Sequence, residues 1–285
     1  MTTTGHDQSN DRHEGHGDVQ PGGLLVSEHG YTLELDTRIL SSGRQTVTFR
    51  VTGPGGRTVT DFDPTHEKEL HFIAIRRDSV GFQHVHPVMD SSGTWSADVE
   101  LSPGVWRFFA DFDPTGHGQP RTLGIDASVA GEYDPQPLPA ITRTTEVGEY
   151  TVTLKGMLAS GEASELTFSV QRNGKPVTDL QPYLGAYGHL VALRVGDLAY
   201  LHVHPEGEPG DGTTAPGPEI AFIAAAPSVG SYRLHLDFQH RDIVRTAQFT
   251  VAAGGSALGS GHQNGHTPVP RTEVPAHHGG HGHHV

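Results

Sequence analysis

The chain has 285 residues, 34% hydrophobic and 18% charged, and its 33 acidic against 19 basic side chains leave a formal net charge of −14. That length suits one to two domains, and the acidic excess argues against nucleic acid and anionic membrane as partners while favouring cations. With no cysteine, disulfides, iron–sulfur clusters, thiolate zinc sites and thiol nucleophiles are excluded.

In chain order, residues 1–23 lack any periodic apolar signal and predict a disordered His-rich segment. They show no charged-then-apolar leader, so the expected compartment is cytoplasmic as the sequence stands, or extracytoplasmic if a leader has been removed. No apolar run approaches the ~18 residues of a membrane span, so direct membrane insertion is not expected. Residues 24–132 predict a first β-sandwich repeat, with "YTLELDT" from Tyr31, "QTVTFRVTGPGGRTVTDFDP" from Gln45, "LHFIAIRRDSVGFQHVHP" from Leu70 and "GVWRFFADF" from Gly104. Residues 133–145 predict a Pro-rich linker containing "YDPQPLPA". Residues 146–253 repeat the same order, with "YTVTLKG" from Tyr150, "SELTFSVQRNGKPVTDLQP" from Ser164, "GHLVALRVGDLAYLHVHP" from Gly188 and "GSYRLHLDF" from Gly230. Residues 254–285 predict a second disordered tail, ending in the metal-binding composition "AHHGGHGHHV". Short alternating strands, 37 Gly and 20 Pro point to an all-β protein. The predicted architecture is two tandem Ig-like antiparallel β-sandwich domains made by an internal repeat.

Histidine is the outlier, at 21 residues. Both repeats carry His-x12-His-x-His: His71, His84 and His86 in the first, His189, His202 and His204 in the second. A two-residue loop at Asp78-Ser79 sets His71 opposite His86, and one at Gly196-Asp197 sets His189 opposite His204. Opposed residues share a face with Cβ atoms about 4.5–5.5 Å apart, and a residue two positions along joins them there. Each hairpin is therefore expected to gather three imidazoles, a donor set that suits Zn(II) or Cu(II), with Ni(II) compatible. That face also carries Ile73, Ile75, Val80 and Phe82, so the trio is expected at one end of the sandwich core.

His66, Asp111, His235, Asp237 and His240 are accessory candidates. His66 lies five before His71 and does not form the four-residue spacing of a His-Glu-x-x-His zinc helix. Asp111 and Asp237 match between the repeats and suit a fourth ligand or a carboxylate that orients a ligand His. His235 and His240 occur only in the second repeat, where His235 shares a face with Asp237.

"ELHFIAIRRDSVGFQHVHP" and "PYLGAYGHLVALRVGDLAYLHVHP" resemble segments of a poorly characterised, actinobacterial-type family of two-repeat His-rich proteins named for heavy-metal binding. A looser resemblance is to β-sandwich copper proteins of the CopC and cupredoxin type, although the lack of Cys rules out a blue-copper site. The resemblance implies metal binding and no defined reaction. The expected function is chelation, buffering or delivery of a divalent transition metal through one three-His site per repeat plus the His-rich tails. A metallochaperone or transporter is the expected class of exchange partner, unidentified from sequence. The expected affinity falls below about pH 6 to 6.5, where free imidazole protonates. Two alternatives stand beside it. One is a metalloenzyme of hydratase, hydrolase or oxidase type with an open three-His site. The other is an interaction module whose histidines are incidental.

Overall fold

The structure is a computed structural model that describes residues 20–117, 119–201 and 203–254. The expectations for residues 1–19 and 255–285, and for His202, lie outside the described residues.

The first repeat runs through β1 (Ser27–Glu28), β2 (Tyr31–Leu35), β3 (Ile39–Leu40), β4 (Gly43–Thr52), β5 (Phe62–Asp63), β6 (Leu70–Arg76), β7 (Gln83–Val85), β8 (Val88–Met89), β9 (Trp95–Leu101), β10 (Gly104–Pro114) and β11 (Arg121–Val129). The second runs through β12 (Thr144–Val147), β13 (Tyr150–Lys155), β14 (Leu158–Ala159), β15 (Ala163–Arg172), β16 (Lys175–Pro176), β17 (His189–Arg194), β18 (Tyr200–Leu201), β19 (Val203–Pro205), β20 (Glu219–Ala225), β21 (Gly230–His240) and β22 (Ile243–Gly254). There is no helix among the described residues. Each repeat is a two-sheet Ig-like sandwich. The first pairs β1-β2-β4-β9-β8 with β3-β11-β10-β6-β7, and the second pairs β12-β13-β15-β20-β19 with β14-β22-β21-β17-β18.

Period-2 alternation builds each core. In β9 every second residue is buried, so Trp95, Ala97, Val99 and Leu101 face inward against Phe49, Phe72 and Phe108. Phe168, Phe222, Leu234, Phe238 and Phe249 fill the second sandwich in the same way.

β6 departs from alternation because all seven of its residues are buried. Phe72 and Ala74 face the first core, while Ile73 and Ile75 join Phe109 against Val191, Leu193 and Leu198 of the second repeat. A strand apolar on both faces must be covered on both, and here the second cover is the other sandwich. This corrects the expectation that the face of His71, Ile73, Ile75 and Phe82 lines a sandwich interior: it is the surface on which the repeats dock. The docking is two-fold in character. Phe82 stacks on His235 at 3.8 Å, and their repeat counterparts Tyr200 and Phe109 meet at 5.9 Å. His71 and its counterpart His189 stack on each other at 5.3 Å, so they flank the pseudo-axis. Each repeat offers the same patch, as in an isologous interface.

Three boundaries differ from expectation. Residues 22–25 are ordered as a strap: Gly23 N donates to the Thr122 carbonyl (2.7 Å), Gly124 N to that of Leu25 (2.8 Å), and Tyr200 N to that of Gly22 (2.9 Å). The Arg107 guanidinium also donates to the Gly23 and Leu24 carbonyls. The glycines that read as flexible sequence serve close approach instead, since a Cβ on Gly124 would lie 2.0 Å from the Gly23 oxygen. At the other end Gly254 belongs to β22 and pairs with Ala159. Strand pairing resumes at Thr144, inside the expected linker. Gly124→Ala is expected to lift the strap, seen as lost hydrogen-exchange protection of the Gly23 and Tyr200 amides with the sandwich cores still protected.

Candidate metal centre

The hairpin register is the one the short loops imply. Ile73 lies opposite His84, and Ala192 opposite Leu201. The edge strand then crosses to the other sheet. In the first repeat β7 leaves β6 after Val85, and β8 pairs β9. His86 and Pro87 make the crossing, where a proline's missing N–H costs no ladder bond. In the second repeat the crossing comes earlier, and β19 sets His204 opposite Ile223 in the far sheet.

One group of donors among the described residues meets metal-ligand spacing: ligand nitrogens of His71, His84 and His189 all lie within 4.8 Å of one another. This group draws on both repeats, whereas the expected trios lie one in each repeat, the second including His202, outside the described residues. The first repeat supplies two rings, and His189 crosses the interface to join them. His204 is carried off by β19 and is exposed.

The other nitrogen of each facing ring has a partner. His71 Nε2 lies 2.9 Å from the Thr65 carbonyl oxygen, which only accepts, so Nε2 carries the proton and Nδ1 presents a lone pair. His84 Nδ1 donates to the Asp237 carboxylate at 2.9 Å, which leaves Nε2 turned toward His71. These two nitrogens face each other at 3.0 Å. Opposed lone pairs at that distance repel unless a cation, proton or metal, lies between them. Two zinc–nitrogen bonds of about 2.0–2.1 Å at a tetrahedral angle span about 3.3–3.4 Å, close to the gap present. Asp237 is itself held by the Thr246 hydroxyl at 2.5 Å. The result is a carboxylate–histidine pair across the repeats, of the kind that orients metal ligands.

His86 stands beside the group, its ring 5.1 Å from that of His71 and 4.9 Å from that of His84. Its Nε2 is buried without a hydrogen-bond partner among the described residues. His66, on the loop before β6, brings its ring to 5.3 Å from His189 and 6.0 Å from His71. Asp111 lies opposite His71 in the sheet and accepts from the Thr122 hydroxyl at 2.9 Å. Burial pushes its carboxyl up to about 6.

Two accessory candidates lie elsewhere. His240 alternates with Leu236 and Phe238 on the core side of β21, where it meets the Tyr150 hydroxyl (2.8 Å) and Asp179 (3.1 Å). His235 is buried under Phe82 and is not among the clustered donors. Residue patterning did not single out Thr65 or Thr246, whose roles here are a backbone carbonyl and a hydroxyl that orient the ligand groups.

Burial, then repulsion from His84, pushes the His71 ring down to about 3. The same causes, joined by Lys68, push His86 to about 4. Burial also holds His189 well below the usual imidazole value. The His71, His86 and His189 rings are thus neutral at pH 7. Between pH 6.5 and about 3 the unfolded chain binds protons at His71 that the folded chain excludes. Acid therefore favours unfolding across that window, and the stability of the metal-free protein is expected to fall as pH drops through it. Urea unfolding at pH 7 and pH 5 measures this, and His71→Gln should shrink the difference.

The chain is similar in structure to several solved proteins at low identity. InvD of Yersinia pseudotuberculosis matches at 15% identity and a TM-score of 0.26, over 86% of this chain and 62% of that one. A Salmonella alpha-2-macroglobulin mutant matches at 12% identity and 0.27, over 82% of this chain and 15% of that one. The D00-D0 domain of intimin matches at 11% identity and 0.24, over 78% and 99%. The chain thus spans less than two thirds of the length of the first two. No curated protein matches the sequence. A family model described as a domain of unknown function (DUF8832) matches residues 26–131 and again 145–255, one match per sandwich. The chain belongs to that DUF8832 family, with two copies of its domain.

Proposed function

We propose that the chain binds a divalent transition-metal ion, Cu(II) or Zn(II), in one buried site shared by the two repeats, and that it serves to chelate, buffer or deliver that ion. The observation that carries this reading is the pair of facing nitrogens, His71 Nδ1 and His84 Nε2 at 3.0 Å, with the other nitrogen of each ring held by the Thr65 carbonyl and the Asp237 carboxylate. His189 supplies the third donor, and the buried, unpartnered Nε2 of His86 is the nearest further one. An all-imidazole set suits Zn(II) and Cu(II) better than the oxygen-seeking Mg(II) or Ca(II). The net charge of −14 favours cation approach.

The test is metal analysis of the full-length chain after loading with Zn(II) or Cu(II) and dialysis against a weak chelator. It is compared with His71→Ala/His84→Ala, which keeps both His-rich termini. The expected result is about one ion more per chain in the unsubstituted protein. Equal retention in the two would overturn the reading, because it would leave only the termini as binders.

A further inference from the structure

The clustered rings are buried, so a hydrated ion needs a way in. His71 is 1% exposed, and the His84 side chain likewise 1%. A cavity of about 350 Å³ opens beside them, lined by Thr65, His66, Asp111, Gln119, Thr122 and His204. It adjoins the buried donors at two points. The His66 ring stands 5.3 Å from that of His189, and the Thr65 carbonyl receives the His71 Nε2–H. Three of its lining groups are imidazole or carboxylate, the donor types that bind transition metals.

The corresponding described residues across the pseudo-axis differ in kind. Tyr183 stands there for Thr65, with its ring 6.3 Å from His86, and buried Leu184 stands for His66. Asp237, the counterpart of Asp111, is engaged by His84. His66 and Leu184 share the same left-handed backbone, with φ of 47° and 58°. At this matched turn position the first repeat places an exposed imidazole and the second a buried aliphatic side chain. His66 and His204 are also the two exposed members of the described His group.

Resting on the function proposed above, we propose that this cavity is a loading site for a hydrated divalent transition-metal cation. The His66 and His204 imidazoles and the Asp111 carboxylate hold the cation before it passes to the buried donors of His71, His84 and His189. A concave, carboxylate-bearing mouth at the low-dielectric edge of the interface concentrates cations where the buried rings can exchange for water.

The test is stopped-flow mixing of Co(II) with the full-length chain, following the intense visible absorption of cobalt in a four-coordinate nitrogen site. The comparison proteins are His66→Ala/His204→Ala, whose changes are both exposed, and Asp111→Asn, which keeps the Thr122 hydrogen bond. The expected result is the same final absorption and stoichiometry in all three proteins, with loading slowed roughly tenfold or more in the variants. Unchanged loading rates with an unchanged endpoint would overturn the loading site and leave the buried site intact. Loss of the endpoint in the variants would overturn it too, by making these residues ligands of the final site. No endpoint absorption in the unsubstituted chain would overturn the function proposed above along with it.

Discussion

His189→Ala is expected to remove the tightly held ion, although the pair contributed by the first repeat, His71 and His84, is untouched. Deleting a group that only orients a ligand already costs about 10- to 100-fold in metal affinity, so deleting a ligand at this site should cost at least about 100-fold. The sensitivity comes from how the donors are assembled. His189 starts β17, beside Asp237 on β21, and reaches the pair only because Val191 and Leu193 of its own strand pack on Ile73 and Ile75. The fold should survive, since His189 sits at the rim of that apolar cluster. Competition titration against a chromophoric chelator gives the affinity, and circular dichroism confirms the fold. If each hairpin held its own ion, the substitution would remove only half of the bound metal.

Asp237→Ala is expected to weaken binding about 10- to 100-fold without touching a ligand. Asp237 is 3% exposed and takes the His84 Nδ1–H at 2.9 Å and the Thr246 hydroxyl at 2.5 Å. Without it the His84 ring is free to flip or change tautomer, and its Nε2 is no longer held facing His71. The substitution also strands the buried His84 N–H, at about 1–3 kcal/mol, and the part-buried Thr246 hydroxyl, so the metal-free protein should unfold at lower urea. A double-mutant cycle of Asp237→Ala with His84→Ala separates the two effects. Strong non-additivity in metal affinity is expected, because Asp237 acts through His84. Additive losses would mean that Asp237 contributes only general stability.

The duplication, the succession of strands along the chain and the hairpin register are legible in the sequence because they depend on local rules. Period-2 alternation marks the strands, and a two-residue loop forces His84 opposite Ile73. What local rules do not reveal is the partner of a face. "LHFIAI" and "HLVALRV" are apolar on both sides, which signals cover on both sides but not what supplies it. The His face was therefore read as core, when the core is built by Phe72 and Ala74 and the His face is a docking surface. Local rules group His189 and Asp237 with their own repeat, and so do not show that His189 also lies beside His71 and His84 or that Asp237 accepts from His84 across the interface. His204 leaves its hairpin partner for another reason. Its strand changes sheets, and nothing in "LHVHP" distinguishes a crossing just before this His from the one in the first repeat just after Val85. His240 was within reach of the sequence, since alternation with Leu236 and Phe238 already assigns it to the core side.

The most direct measurement is the position of a bound ion, from anomalous scattering in crystals of the Zn(II)- or Cu(II)-loaded chain. The account predicts a peak between the sandwiches, within bonding distance of His71 Nδ1, His84 Nε2 and a ring nitrogen of His189. Separate peaks within the two hairpins, or ions on the termini alone, would contradict it.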